Sequence, residues 1–283
     1  MKFALAGSLE LFVAAARHLC AAGLRPTVLI VPAEAAVDAL RAATADLALE
    51  TLVSADLDAD AAPLRQLDLD LLVSVGWPRR LGRAALESAR RGGINLHTSR
   101  LPAYRGRHPV HWAFIEGETE VGVTVHVMTE QFDEGPILVQ DAVPIERDDD
   151  LQVVLRRLEP VACRALEAGL RGLEAGTIAP RPQPPGGRYW PPRTPEDGRI
   201  DWSRPARLVA RLVNALVPPL PGAFTRLGDR TVVLRRATCG RRAGEVLART
   251  TDGRYVIGTS DGAALLVESD QDLPIGAVLG DAS

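Results

Sequence analysis

Between residues 2 and about 145 two apolar patterns alternate, and few folds are compatible with that alternation. Short runs rich in β-branched residues are each followed by a longer amphipathic stretch rich in alanine and leucine. The first pattern is typical of buried strands and the second of helices, so together they predict an α/β domain with a mostly parallel sheet and crossover helices. The predicted strands are residues 3–6, 27–31, 49–53, 69–75, 93–97, 121–128 and 137–145.

The second half of the chain has a different character. The aspartates at 148–150 favour the start of a helix, and residues 151–174 have the pattern of one long helix. Residues 180–195 contain seven prolines and two glycines, which helix interiors and central strands do not tolerate. Beyond them, residues 204–216 predict a helix and residues 231–267 a small β-rich domain. The predicted domains are residues 1–180, a proline-rich linker at 181–198 and a second domain at 199–283.

Composition narrows the class of protein. The net charge is −3 and the pI about 6.0, so no overall attraction to nucleic acid is expected. No apolar run approaches the roughly 18 residues of a membrane span, and the N-terminus leads into a strand without a signal peptide. We therefore expect a cytoplasmic protein without a membrane partner. Cys20, Cys163 and Cys239 lack metal-ligand spacing and are expected to be buried thiols, with no metal site.

Two polar residues interrupt one of the buried strands. Asn95 and His97 lie two positions apart, so in an extended strand both side chains point to the same face. At the carboxyl end of a parallel strand they would project into the crevice where open α/β sheets bind ligands. From the spacing alone, a turn asparagine and a hydrogen-bonded core histidine are the favoured interpretation.

A longer series of fixed spacings surrounds this pair. The series is Asn95-x-His97, Ser99-x-Leu101-Pro102-x-Tyr104-Arg105-Gly106, Gly122-Val123-Thr124-x-His126 and Asp133-x-Gly135-x-Ile137. It resembles the folate-dependent formyltransferase family. Residues 193–223 and 244–269 are similar to the second domain of the methionyl-tRNA formyltransferase branch, which includes formyltransferases for 4-amino-4-deoxyarabinose nucleotides. The resemblance implies the formyltransferase fold, a Rossmann-like, mostly parallel sheet with helices on both faces and a small OB-like β-rich C-terminal domain.

The resemblance also implies a catalytic set, at positions Asn95, His97 and Asp133. The implied reaction transfers a formyl group from 10-formyltetrahydrofolate to an amine through a tetrahedral intermediate, with no metal. The Asn95 amide would donate to the developing oxyanion. His97 would carry protons, since its ordinary pKa of about 6.5 suits both uptake and release. Asp133 would orient His97 and help to deprotonate the incoming ammonium. How the proton steps divide between His97 and Asp133 stays open.

The family binds the pterin of the donor largely through main-chain groups of two loops. The matching candidates are Gly76, Trp77, Pro78, Arg79, Leu81, Thr129, Gln131 and Phe132. For Trp77, a loop anchor that packs on the domain surface is an equal alternative.

Beside the catalytic strand, Thr98 stands where relatives commonly have glycine or proline, and Arg100 where they usually have leucine. These departures predict a reshaped acceptor site. The arginines there, together with His108, are suited to an anionic group of the substrate, although Arg105 is better explained as structural. For Arg100 and Arg107, a solvated basic loop is an equal alternative. The candidates for acceptor binding are Thr98, Ser99, Arg100, Tyr104, Arg107 and His108. Further contacts are expected from residues 108–112 and 188–190.

Three kinds of formyltransferase, which differ in the acceptor they use, are compatible with the resemblance. The loop after the first strand contains Glu10, which would repel the phosphate of glycinamide ribonucleotide. In the initiator-tRNA enzymes a basic loop follows the second strand, but residues 32–46 here contain one basic residue, Arg41, against three acidic ones. For these reasons, and because residues 104–126 are similar to the amino-sugar nucleotide branch, we favour a small-molecule primary amine or hydroxylamine. The candidates are an amino-sugar nucleotide and an ornithine-type building block of a natural product.

Three other hypotheses are compatible with the sequence besides formyl transfer to a small-molecule amine. The doublets Arg235-Arg236 and Arg241-Arg242 keep methionyl-tRNA as an alternative acceptor. The same catalytic set also suits a hydrolase that releases formate from formyltetrahydrofolate, or a silent folate-binding protein. A homodimer is compatible with the sequence, which has no bearing on oligomeric state.

Overall fold

A computed structural model describes residues 1–227, 229–240, 246–249, 253–258, 264–275 and 279. The chain forms two compact units, and neither is one continuous stretch. The first unit comprises Met1–Gly106, Gly122–Val143 and Arg157–Trp190, and the second comprises Arg107–Val121, Pro144–Arg156 and Pro191–Ser283. The domain boundaries given above stay a prediction.

The first two-thirds of the chain contain nine strands and six α-helices. The strands are β1 (Phe3–Gly7), β2 (Val28–Pro32), β3 (Thr51–Ser54), β4 (Leu71–Val75), β5 (Gly93–His97), β6 (Arg105–Gly106), β7 (Glu120–Val127), β8 (Ile137–Pro144) and β9 (Tyr189–Trp190). The helices are α1 (Leu9–Ala21), α2 (Val37–Thr44), α3 (Ala61–Gln66), α4 (Arg83–Leu86), α5 (Pro109–Ile115) and α6 (Leu151–Ala175). A 3-10 turn at Ala45–Leu47 follows α2.

Seven strands form one sheet in the order β3-β2-β1-β4-β5-β7-β8. The pairs from β3 to β5 are parallel, and β7 runs antiparallel to β5. Strands β1, β2 and β4 are buried along their whole length, as expected of parallel strands covered on both faces. The predicted Rossmann-like, mostly parallel sheet is therefore confirmed.

The strand order reverses between β1 and β4, which is where open α/β sheets bind ligands. The two loops that leave the sheet there are joined, because the Ser8 hydroxyl donates to the Gly76 carbonyl at 3.0 Å. Below them, alternate residues of these strands pack with residues of α3 and α4 in an apolar core; they include Ala4, Leu72, Leu64 and Ala85. This core holds the carboxyl edge of the sheet in place.

The long helix α6 begins as predicted. The Val153 N–H donates to the Asp150 carboxylate at 2.9 Å, which satisfies one of the unpaired donors at the start of the helix.

The proline-rich segment is irregular, as predicted, but it also contains a short strand. Within the first unit, β9 runs parallel to β6, and Arg181 forms a bridge with Ile137.

Beyond residue 190, the described part of the second unit forms α7 (Ala206–Ala215), a 3-10 turn (Pro195–Gly198) and five strands. These are β10 (Ala223–Leu227), β11 (Arg230–Gly240), β12 (Val246–Arg249), β13 (Tyr255–Gly258) and β14 (Ala264–Ser269), in the antiparallel order β10-β11-β14-β13-β12. The Asn214 side chain of α7 exchanges two hydrogen bonds of 2.9 Å with the backbone of Ala237 in β11. The predicted OB-like, β-rich C-terminal domain is confirmed.

Several smaller expectations have outcomes in the described residues. None of the helices there is both long and apolar enough to cross a bilayer, and no group of three or more acidic, histidine or cysteine side chains has the arrangement of a metal site. Cys163 is buried, whereas Cys20 is only partly so, and the side chain of Cys239 lies outside the described residues. Arg235 is paired with Asp270 at 2.9 Å, and Arg241-Arg242 lies outside the described residues.

Candidate active site

Three nitrogen atoms converge on one carboxylate oxygen of Asp133. The Asn95 Nδ2 lies 3.4 Å from Asp133 Oδ1, the His97 Nδ1 3.5 Å and the His126 Nε2 3.5 Å. Asn95 and His97 come from the carboxyl end of β5, while Asp133 follows β7, the next strand of the sheet. The structure therefore brings together the three residues predicted to be catalytic.

His97 is almost completely buried, and its hydrogen bonds define its proton positions. Its Nε2–H donates to the Tyr104 carbonyl at 2.9 Å, which leaves Nδ1 as the nitrogen that faces Asp133. Burial lowers the pKa of His97, although the charge of Asp133 and the Tyr104 carbonyl oppose that shift. The imidazole is therefore neutral at pH 7, and a proton that it takes up would lie between Nδ1 and the carboxylate.

Asp133 is held in an unusual backbone conformation. Its φ is +55°, in the left-handed region that non-glycine residues rarely adopt. The Gly106 N–H donates to Asp133 Oδ2 at 2.9 Å, and the Gln183 amide donates to the carbonyls of Asp133 and Gly135 at 2.7 and 2.9 Å. A Cβ on Gly135 would lie 1.7 Å from the Val127 carbonyl oxygen, so glycine is required there. These contacts offset the backbone strain.

Asp133 stays ionised at neutral pH. Burial by itself would raise the pKa of its carboxyl group, but the neighbouring His97 and His126 side chains and the Gly106 N–H together lower that pKa to about 2. The buried carboxylate is thus a permanent negative charge beside His97.

Sequence reasoning placed His126 on a strand but gave it no role in the site. Its Nδ1–H donates to the Val127 carbonyl at 2.9 Å, and its Nε2 lies 3.2 Å from the Asn95 amide nitrogen, which is placed to donate to it. The register of β5 and β7 places His126 directly opposite Asn95. The signal that would have found it is this pairing, because cross-strand partners share a face of the sheet.

Gln183 is a second residue that sequence reasoning missed. In addition to its bonds to the loop after β7, its Oε1 accepts hydrogen bonds from Arg105 at 2.7 and 3.2 Å. Arg105 also lies 3.6 Å from Glu134, which agrees with its interpretation as structural. The proline-rich segment thereby supports the loop that carries Asp133.

The two loops predicted to bind the donor are linked to each other. Arg80, in the loop after β4, donates to the Glu130 carbonyl, in the loop after β7, at 3.2 Å. Of the candidates, Leu81 is buried and Trp77 packs against the apolar core, whereas Phe132 is 45% exposed. Gly76 has a φ of +67°, and Arg79 pairs with Glu34 at 3.0 Å. The Thr129 hydroxyl donates to the Gln131 carbonyl at 3.1 Å. The last of the candidates is Pro78.

The residues predicted to bind the acceptor belong to both units. Those in the first unit are Thr98, Ser99, Arg100 and Tyr104, and those in the second are Arg107 and His108. The Ser99 hydroxyl is buried and donates to the Ala103 carbonyl at 2.7 Å, so it stabilises the turn after β5. The Tyr104 ring stacks on Trp190 at 5.2 Å, while Arg100, Arg107 and His108 are exposed.

The fold and these residues define an open α/β protein with a buried acid–base pair at the carboxyl edge of its sheet. Residues 32–168 match the formyl transferase family, and residues 193–272 match the C-terminal domain of formyl transferases. The chain belongs to the formyltransferase family.

Two methionyl-tRNA formyltransferases are similar in sequence. That of Anaeromyxobacter dehalogenans strain 2CP-C is 43% identical over 178 residues, which are 62% of this chain and 57% of the relative. That of Anaeromyxobacter sp. strain K is 40% identical over 216 residues, which are 73% and 68% of the two chains. The chain thus spans less than two-thirds of the first relative.

A solved structure shares the fold over nearly the whole chain. The N-formyltransferase from Helicobacter canadensis, in complex with folinic acid and dTDP-3-aminofucose, superposes with a TM-score of 0.73. The superposition covers 95% of this chain and 99% of that one, at 15% sequence identity. At this identity the likeness shows the fold alone.

Proposed function

We propose that this protein is a 10-formyltetrahydrofolate-dependent N-formyltransferase whose catalytic residues are Asn95, His97 and Asp133. The observation that supports this most directly is the convergence of a carboxamide and an imidazole on the buried Asp133 carboxylate. Family membership gives the reaction class. An oxyanion donor and an acid–base pair are the groups that acyl transfer to an amine requires.

The geometry suits each step of this reaction. As the amine nitrogen bonds to the formyl carbon, an oxyanion develops, and Asn95 stabilises it with an N–H. The Asn95–Asp133 contact of 3.4 Å is long, so that N–H is readily redirected. The proton that the amine loses passes to His97 Nδ1, where the Asp133 charge stabilises the imidazolium. The same proton is then available to the folate nitrogen when its bond to the formyl carbon breaks.

The donor is assigned to the loops after β4 and β7. The loop after β4 leaves the sheet at the reversal of strand order, and the Arg80 contact to the Glu130 carbonyl joins the loop after β7 to it. Their apolar side chains Leu81 and Trp77 pack inward, which leaves main-chain groups and the exposed Phe132 ring for the folate. The bound folinic acid in the Helicobacter canadensis structure supports this chemistry.

For the acceptor we propose the amine of a small molecule, such as an amino-sugar nucleotide or an ornithine-type building block. The segment after β2 supports this choice. It includes the helix α2, and two of its three acidic residues are engaged with arginines, since Glu34 pairs with Arg79 at 3.0 Å and Asp46 with Arg17 at 2.8 Å. No excess of basic charge is left there to bind an RNA backbone.

Methionyl-tRNA is the second candidate acceptor. It is favoured by the 40 and 43% identity to two methionyl-tRNA formyltransferases. Hydrolysis of the formyl donor is the third reaction compatible with the same residues, since water can replace the amine.

Mass spectrometry of the products distinguishes these reactions. The protein is incubated with 10-formyltetrahydrofolate and with a panel of amino-sugar nucleotides, ornithine-type amines or charged initiator tRNA. We expect a formylated small amine, and Asp133→Asn should lower kcat by about 100-fold or more because the imidazolium loses its counter-charge. The exposed neighbour Glu134→Gln serves as the matched control. Formylation of methionyl-tRNA alone would reverse the choice of acceptor, and formate release without any amine would indicate a hydrolase.

A further inference from the structure

One arginine of the second unit has a charge that its surroundings leave uncompensated. The Arg193 side chain is only partly accessible, and burial lowers its pKa below the usual arginine value in spite of the charge of Asp197. Among the described residues no carboxylate lies within ion-pair distance of its guanidinium, and its buried Nε has no hydrogen-bond partner. Because a partly buried cation without a partner costs free energy, a bound anion would stabilise this arrangement.

Further donors surround Arg193. Its backbone N–H donates to His108 Nδ1 at 3.1 Å, so the neutral His108 ring has its own proton on Nε2, which is left as a donor. The His111 ring lies 5.7 Å from that of His108, and burial together with the charge of Arg193 lowers the pKa of His111 to about 4. Arg107 precedes His108 in the chain and is close enough to lower its pKa as well. The cluster therefore has positive potential without extra protons on its histidines.

The guanidinium also has a defined position. Its central carbon lies 5.9 Å from the centre of the Trp112 ring, and the Trp112 Nε1–H donates to the Pro191 carbonyl at 3.0 Å. At this distance the ring attracts the guanidinium as a cation, and the terminal N–H groups of Arg193 are left for a ligand.

We infer that Arg193, together with Arg107 and the Nε2–H of His108, binds a phosphate group of the acceptor substrate. This rests on the proposed function and narrows it to phosphate-bearing acceptors. A phosphate is favoured because it has several acceptor oxygens and a charge approaching −2, which suits two guanidinium groups and a neutral imidazole N–H. The choice excludes a free ornithine-type amine and retains amino-sugar nucleotides.

Isothermal titration of the full chain with inorganic pyrophosphate tests the site. Arg193→Gln should weaken binding about tenfold or more, since it removes charge-assisted hydrogen bonds. Arg207→Gln, at an exposed position of α7, is the matched control and should bind as the wild type does. Because Arg193 lies beside the Trp112 ring, thermal melting checks that its variant folds. If that variant does not fold, Arg107→Gln, at an exposed position, provides the same test. Equal binding by the Arg193 and Arg207 variants, or no binding by the wild type, would overturn the inference.

Two further titrations identify the source of the phosphate and separate this inference from the proposed function. Binding of uridine diphosphate and of an RNA hairpin of acceptor-stem length is measured for the wild type and for Arg193→Gln. If the variant binds the nucleotide more weakly than the wild type does, the site is assigned to a nucleotide. If only the hairpin binds more weakly, the site is assigned to RNA. Binding of 5-formyltetrahydrofolate is measured on the same samples. Intact folate binding without any effect of Arg193 contradicts only the phosphate site, whereas a wild type that binds no folate contradicts the proposed function.

Discussion

At the scale of single residues, the Asp133 carboxylate links three side chains, and a change in one of them alters the others. Asn95 has two N–H groups, and one is directed to His126 while the other faces Asp133. If His126 stopped accepting its hydrogen bond, the carboxamide would be free to rotate. His126 is therefore a positioning residue for Asn95 in the proposed mechanism.

Replacement of His126 by alanine tests that role. We expect kcat for formyl transfer to fall about 10- to 100-fold because the Asn95 amide loses its orientation, with little change in the KM for the donor. His126→Gln, whose side-chain oxygen accepts a similar hydrogen bond, should recover part of the loss. Steady-state kinetics of both variants measures the effect. An increase in KM at constant kcat would argue against positioning.

The stability of the protein should depend on pH through His97. Burial lowers the pKa of His97 in the folded state. Below about pH 6.5 the imidazole is therefore protonated in the unfolded chain but stays neutral in the folded protein. The free energy of unfolding therefore falls as the pH decreases from about 6.5 toward the lowered pKa of the folded state. Asp133 adds a second loss in the same direction, between pH 3.8 and about 2. Its carboxylate is stabilised in the folded state above that window.

Urea unfolding at several pH values measures this dependence. Between about pH 7 and pH 5, His97→Gln should show a shallower decrease than the wild type. The lowered pKa values of His108 and His111 contribute equally to both proteins, so the comparison isolates His97. Identical slopes would mean that His97 does not have a lowered pKa in the folded state.

Part of the cluster of side chains around Asp133 could be predicted from the sequence. The two-residue period of a strand places Asn95 and His97 on one face, and the resemblance supplied the catalytic roles of these two residues and of Asp133. His126 and Gln183 were missed because their contacts depend on the register of two antiparallel strands and on the path of a distant proline-rich segment. Neither leaves a periodic pattern in the sequence.

At the scale of elements, the seven sheet strands and the helices α6 and α7 agree with prediction to within two residues at each end. Their apolar runs are long enough to have a clear period. Strands β6 and β9 were not predicted, because each has only two residues and β9 lies among prolines. The antiparallel direction of β7 relative to β5 was also not predicted. An apolar run indicates a strand but not its direction, which depends on how the chain crosses the sheet.

Gln183 connects the proline-rich segment to the loop after β7, and its removal should loosen that loop. We expect Gln183→Ala to leave two carbonyls without a donor and to destabilise the protein by about 1–3 kcal/mol. Hydrogen exchange should show faster exchange at residues 132–135. Gln152→Ala, on α6, is the control. Unchanged exchange in the loop would mean that other contacts hold it.

The start of α6 offers a simpler test. Asp150→Ala removes the acceptor of the Val153 N–H and should lower the free energy of unfolding by about 1 kcal/mol. The exposed Asp148→Ala controls for the loss of negative charge near the helix start. Thermal or urea unfolding compares the two variants. Equal destabilisation would assign the effect to charge and not to the hydrogen bond.

At the scale of the whole molecule, the net charge of −3 bears on the choice of acceptor. A protein that binds tRNA through its phosphates loses affinity steeply with added salt. We expect a fluorescent acceptor-stem hairpin to bind no more tightly than about 10 μM at 0.15 M salt, by anisotropy. Tighter binding with a steep salt dependence would instead favour methionyl-tRNA as the acceptor.

Neither compact unit is a continuous stretch of chain, and this has a consequence during synthesis. The unit that contains the sheet includes residues 157–190, and the other unit includes residues 107–121. A nascent chain therefore cannot complete the first unit while it is still being lengthened to residue 190. Residues 1–106 therefore lack part of their unit until residues 157–190 have been synthesised. Chaperones have a longer interval in which to bind this chain than they have in proteins whose domains emerge one after another.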